Sequence, residues 1–156
     1  MPTLDLTNNK IKNTRALVYQ IKNDQSLFLL TQEPSNDYTI PGGCKDLEDP
    51  DLFTAIKREL NEELNLTPAD YEISQTDFAK EYENLYEDPT SERYQKNTII
   101  YLFIVKVLNS KVIKVGYEIK GCKWFNQEVV ATKLNSHHMK ELFEQGLKEL
   151  LIKNQN

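Results

Sequence analysis

Between Pro41 and Leu66 the chain reads PGGCKDLEDPDLFTAIKRELNEELNL, and its capacity for chemistry is concentrated in three glutamates. Phe53, Ile56, Leu60 and Leu64 recur at helical spacing, which predicts a helix over about residues 50–64 with these four on its buried stripe. On a wheel turning about 100° per residue from Leu60, Glu63 falls at about −60°, Glu59 at about −100° and Glu62 at about −160°. The three carboxylates share one side, with Glu63 at the edge of the apolar stripe. In isolation this is unfavourable. Glu59 faces Glu63 at i,i+4 and Glu62 at i,i+3, each costing roughly a few tenths of a kcal/mol. The helix dipole also disfavours acids in a C-terminal half. A hard divalent cation would remove both penalties, and Mg²⁺ takes oxygen ligands while keeping waters that phosphates can replace. A plain solvated face, with Arg58 paired to Glu62 one turn on, accounts for the same residues equally well.

The elements around this helix must place it. Gly42–Gly43 follow a short strand at 38–40 and let backbone approach a ligand closely, freeing N–H or C=O groups for phosphate or metal, although such a pair is commonly only a turn. Asp49 offers an N-cap oxygen with Pro50 at the first helical position, and Asn65 is a tolerable left-handed stop before Pro68. Residues 14–22 and 26–31 read as a hairpin about Asn23–Asp24–Gln25, and 71–82 as a further strand. The polar stretch 83–97 reads as a loop. Residues 98–107 (TIIYLFIVKV) are apolar enough for a strand buried on both faces. Weaker strands are expected at 111–117 and 123–125. Met139, Leu142, Phe143, Gly146, Leu147, Leu150 and Leu151 mark a closing amphipathic helix. Strands before, between and after two principal helices make an α+β domain layered as an α/β/α sandwich.

The chain has 156 residues, which fits one domain spanning 1–156, and no linker or repeat divides it. It is 39% hydrophobic and 28% charged, as a globular protein is. No run approaches the roughly 20 apolar residues of a membrane-spanning helix, and MPTLDLTNNK lacks the apolar core of a signal peptide, so no membrane partner and no secretion are expected. A net charge of −5, from 24 acids and 19 bases, argues against a general grip on nucleic acid. Cys44 and Cys122, the only cysteines, are too few for a disulfide framework and wrongly spaced for zinc, so a reducing cytoplasmic setting is expected. Nothing in the residues sets an oligomeric state.

Residues 41–66 resemble the Nudix hydrolases, whose pattern is G-x5-E-x7-R-E-U-x-E-E-x-G-U with U aliphatic. Arg58–Glu59–Leu60–Asn61–Glu62–Glu63–Leu64–Asn65–Leu66 matches its second half except at Asn65, where Gly is usual, and Pro41–Gly42–Gly43 matches the start of its first half. Gly43 lies one residue too far from Arg58, and Pro50 stands where Glu is expected, with Glu48, Asp49 and Asp51 nearby. The resemblance implies a mixed central sheet between helices. It also implies Mg²⁺-dependent attack of water (Mn²⁺ substituting) on a nucleoside diphosphate linked to another group. Glu59, Glu62 and Glu63 would hold the metal, with the Gly43 carbonyl as an extra ligand and Arg58 orienting the glutamates. Glu118, six residues before Trp124, is a candidate general base after a carboxylate of the helix itself; an ordinary exposed acid is the alternative. The strand 98–107, the Glu-to-Trp spacing and the closing helix look most like diadenosine tetraphosphate hydrolases. Nucleoside triphosphates, nucleotide sugars and capped RNA are the other substrate classes, and a silent nucleotide-binding regulator is the non-enzymatic reading.

Arg93, Lys96, Lys120 and Lys123 are candidate phosphate contacts, with scattered surface charge as the alternative. Tyr82, Tyr86 and Tyr94 lie in or beside the polar loop, where they either stack on a nucleobase or anchor the loop. Among the substrate-binding candidates we count Gly42, Gly43, Tyr86, Arg93, Tyr94 and Lys96. His137 and His138 read as the opening of the last helix, and Cys44 as a small filler without an activating base.

Overall fold

The computed structural model describes residues 2–154. Its strands are β1 (Lys10–Lys22), β2 (Gln25–Gln32), β3 (Tyr38–Thr39), β4 (Gly42–Cys44), β5 (Tyr71–Tyr82), β6 (Asn97–Val107) and β7 (Gly121–Phe125). The helices are α1 (Leu52–Leu64), α2 (Gln127–Lys133) and α3 (His137–Asn154). β1 and β2 form an antiparallel hairpin closed by Asn23 and Asp24, both at positive φ (52° and 61°), as the twist of a two-residue hairpin turn requires. β6 runs parallel to β1 and antiparallel to β5, giving one mixed sheet in the order β3-β2-β1-β6-β5, with β4 paired to β1 and β7 to β2.

Strand alternation sorts side chains to two faces. Leu17, Tyr19, Leu102 and Ile104 pack against Val130, Leu134, Met139, Leu142 and Phe143 of the α2–α3 side. Ala16, Val18, Phe103 and Val105 pack against Ile56, Leu60 and Leu64 of α1. With helices on both faces, β6 is buried on both, which is why residues 102–105 are apolar without interruption. This is the expected α+β, three-layer arrangement.

Four expectations change. Residues 111–117 form no strand: a 3-10 turn at Ser110–Val112 leads into a segment whose Lys114 and Gly116 amides bond the end of α1, so they are not available to a ladder. α2 is an additional helix, only seven residues long and capped by Asn126, whose Oδ1 accepts from Val129 N–H at 3.0 Å. β1 begins four residues earlier than residue 14, because its polar start pairs with both β4 and the first residues of β6. Gly42–Gly43 belong to β4 and are paired with Thr14 and Arg15, so they are a ladder and not a free loop.

Candidate functional site

The acidic helix begins two residues later than Asp49 would place it. Asp51 is the N-cap of α1, its Oδ1 accepting from Thr54 N–H at 2.7 Å. Asn65 closes the helix in the left-handed region at φ 57°. Asp49 is instead buried under Arg58. Its Oδ1 accepts from Arg58 Nε at 3.1 Å and its Oδ2 from Nη2 at 2.9 Å, so the salt bridge for which Pro50 leaves no carboxylate is made from the adjacent residue. Burial works against the Asp49 charge, but the Arg58 bonds outweigh it and hold the carboxyl below its ordinary range. Arg58 also reaches Asp46 at 3.3 Å, Glu59 at 3.0 Å, Glu62 at 3.3 Å and the Cys44 carbonyl at 3.0 Å. Its pairing with Glu62 is therefore one bond of a larger brace, and not surface decoration.

Glu59 and Glu63 are only 8% and 6% exposed, while Glu62 is exposed. Glu63 Oε1 accepts from Gly42 N–H at 3.0 Å. Glu59 packs against Gly43, where a Cβ would meet its carboxylate and push that side chain aside. Burial pushes the Glu59 carboxyl up to about 7 and the Glu63 carboxyl up to about 8, against the opposing pull of Arg58 on the first and Arg15 on the second. The Gly43 carbonyl accepts from Thr14 Oγ1 at 3.1 Å.

Two adjoining hollows of about 370 and 250 Å³ open over this face, both lined by Cys44, Glu59, Arg93 and Glu118. Arg15, Glu33 and Asn13 line the smaller one. Arg15 donates from Nη1 to Ile40 O and from Nε to Asn13 Oδ1, both at 2.8 Å, which fixes its charge near Glu63. Sequence reasoning missed it, although a cation directly before the apolar run ALVY was a usable signal. Arg93 stacks over Tyr86 at 5.4 Å, and its buried Nε finds no hydrogen-bond partner among the described residues. The Tyr86 hydroxyl sits 3.6 Å from Cys44 Sγ and is pushed up to about 12 by burial and by that neighbour. Tyr86 and Tyr94 together line a further hollow of about 540 Å³.

Other candidates lie elsewhere. Lys96 donates to Asn9 Oδ1 at 2.8 Å and lines neither hollow over α1. Lys120 is bonded to Asn36, and Lys123 is exposed on β7. Tyr82 ends β5, packs half-buried against the α3-side core and donates to Glu141, on the far side of the sheet from α1. His137 and His138 open α3, and His138 is paired with Ser136.

The donor set suits a hard cation: two buried carboxylates whose charge lacks full compensation, an exposed third carboxylate, and a backbone carbonyl beside them. Among the described residues no three acidic, histidine or cysteine side chains already converge on one point, since Glu62 is turned to Arg58.

A family model described as NUDIX domain matches residues 12–145. The chain belongs to the NUDIX family. No curated protein matches it in sequence. Among solved structures, a C. elegans Ap4A hydrolase binary complex superposes with a TM-score of 0.73 at 23% identity, covering 92% of this chain and 98% of that one. The E. coli dihydroneopterin triphosphate pyrophosphohydrolase gives 0.69 at 14% identity, over 93% and 97%. The NUDIX domain of Shewanella oneidensis NrtR, complexed with ADP ribose, gives 0.66 at 19%, over 90% and 88%. These likenesses are of fold, and they agree with the three-layer arrangement. No described helix of this NUDIX chain is long and apolar enough to cross a membrane.

Proposed function

We propose that this NUDIX protein is a pyrophosphohydrolase that splits a nucleoside diphosphate linked to another moiety, with dinucleoside polyphosphates as the favoured class. One observation supports the reading most directly: the cleft joins the Glu59–Glu63 pair to two guanidinium groups, Arg15 and Arg93. A phosphate chain is the ligand that answers both. Glu59, Glu62 and Glu63 would hold Mg²⁺, with Mn²⁺ as substitute, beside the Gly43 carbonyl. A divalent ion bound there supplies neutralisation of the pyrophosphate and a more acidic attacking water. Arg58 keeps the glutamates oriented through Asp49 and Asp46, and Arg93 and Arg15 face the remaining phosphate charge. A carboxylate of α1 or Glu118 at the rim accepts the proton of the water.

The hollow shared by Tyr86 and Tyr94 adjoins the cleft and favours a substrate with a base beyond the phosphates. The Ap4A hydrolase likeness supports the same class, and the two triphosphate and ADP-ribose neighbours mark the alternatives. The free thiols of Cys44 and Cys122 suit a reducing, cytoplasmic setting. The test is a nucleotide panel with Mg²⁺ or Mn²⁺, products identified by phosphorus NMR, for the wild type and Arg93→Ala. Hydrolysis is expected, with KM raised roughly 10- to 100-fold in the variant. Nucleotide binding without turnover under either metal would establish the regulator reading instead.

A further inference from the structure

The segment 113–118 is tied to the acidic helix by three hydrogen bonds. Lys114 N–H donates to Leu64 O at 3.0 Å and Gly116 N–H to Glu63 O at 2.8 Å. These satisfy carbonyls that the last turn of a helix leaves without an internal partner. The third bond runs the other way: Asn65 Nδ2 donates to Lys114 O at 2.6 Å. It comes from the one position at which the second half of the motif departs from its pattern. Gly and Asn both tolerate the left-handed backbone at φ 57°, but only Asn brings a donor.

We propose that Asn65 is a positioning residue: its side-chain amide clamps the Lys114 peptide to the end of α1 and so fixes Glu118 and Tyr117 over the cleft. This rests on the hydrolase reading for the role of Glu118, though not for the clamp itself. The segment lies flat on the helix end, because a Cβ at Gly116 would run into Glu62 O. Past the cleft it is pinned again, with Ile119 buried in the α1-side core and Lys120 N–H donating to Gln32 O at 2.7 Å. Between these anchors Tyr117 is 96% exposed and Glu118 is exposed, and both line the hollow that contains Glu59 and Glu62. The hydrogen bonds that tie it down on the N-terminal side all run to α1 or its cap, and Ile113 packs against the α1-side core. Glu118 is thereby referenced to the glutamates it would act beside, and small displacements of such a group are costly.

The experiment uses the full chain carrying Asn65→Gly, with Gly116→Ala as an independent way of lifting the segment. Glycine keeps the left-handed cap, so the melting temperature of Asn65→Gly is expected to stay within about 2 °C. Amide exchange at residues 114–118 is expected to quicken about tenfold or more. On a substrate that the wild type hydrolyses, kcat is expected to fall roughly 5- to 50-fold with little change in KM. In a Glu118→Gln background the same substitution should add almost nothing, because the two act as one unit. Unchanged exchange in Asn65→Gly overturns the clamp. Faster exchange with unchanged kcat overturns the positioning role, and an undiminished loss in the Glu118→Gln background overturns its assignment to Glu118. The exchange comparison needs no substrate. A wild type that hydrolyses nothing would therefore remove the function proposed above, while the clamp is still upheld or overturned by exchange.

Discussion

At Glu63, burial and charge pull against each other, and the residue is kept where a glutamine would fit with less strain. Its Oε1 already accepts the Gly42 N–H, a bond that an amide oxygen can also accept. Glu63→Gln should therefore fold, and above about pH 7 it should melt higher than the wild type in the absence of metal, since no charge is left to desolvate. Activity should fall at least about 10²-fold, as expected on removing a charged ligand from a metal that contributes several kcal/mol. Calorimetry and steady-state kinetics on one preparation check both; a variant that turns over like the wild type removes Glu63 from the site. The three glutamates were legible because repulsion at i,i+3 and i,i+4 can be read from spacing alone. Arg15 carried a signal as a cation at the head of an apolar strand, but its place beside Glu63 and the pairing of Arg93 with Tyr86 were not legible, since strand register and loop course create them.

At the scale of elements, two aspartates two residues apart do different work. Asp51 caps α1, so Asp51→Ala should cost about 1 kcal/mol, a fall in melting temperature of roughly 2–4 °C, with Mg²⁺ titration unchanged. Asp49 is the buried partner of Arg58, and removing it leaves a half-buried guanidinium with weaker anchors. Asp49→Ala should cost about 1–3 kcal/mol and also weaken Mg²⁺ binding, because Arg58 then redistributes among Glu59 and Glu62. Thermal melts and metal titrations of the pair discriminate; equal metal affinity in both variants would show that the brace does not organise the glutamates. Sequence placed the cap at Asp49 because Asp-Pro is a strong local start signal, and only the ion pair across nine residues reveals the other use. The strand expected at 111–117 failed for a similar reason. KVIKVGY has the composition of a strand, but its amides are taken by the end of α1. α2 escaped notice because seven residues are too few for a helical period to be distinct.

For the whole molecule, the carboxylates divide by the direction in which folding moves them, and this sets how stability depends on pH and metal. Glu59 and Glu63 are raised to about 7 and about 8 by burial, so between about pH 4.5 and 8 the folded chain holds protons that the unfolded chain has released. Metal-free stability should then fall as pH rises through that window. Asp5, held far below its ordinary range by Lys45, and Asp49, held down against burial by Arg58, contribute in the opposite sense. Their stabilisation is complete above about pH 4 and is lost as pH falls through their lowered values. The metal-free protein should thus be most stable near pH 5. Mg²⁺ binds the ionised carboxylates, so its stabilising effect should be small at pH 5 and grow towards pH 8, reaching about 2.7 kcal/mol at a hundredfold excess over Kd. That corresponds to a rise in melting temperature of roughly 5–10 °C at pH 8. Melting curves at pH 5, 6, 7 and 8, with EDTA and with Mg²⁺, measure both slopes. In the Glu59→Gln/Glu63→Gln double variant the fall between pH 5 and 8 and the metal-induced rise should disappear together. A metal-free melting temperature that stays level from pH 5 to 8 in the wild type would mean that the two buried carboxyls keep ordinary pKa values, and the electrostatic reason for a cation at this helix would go with it.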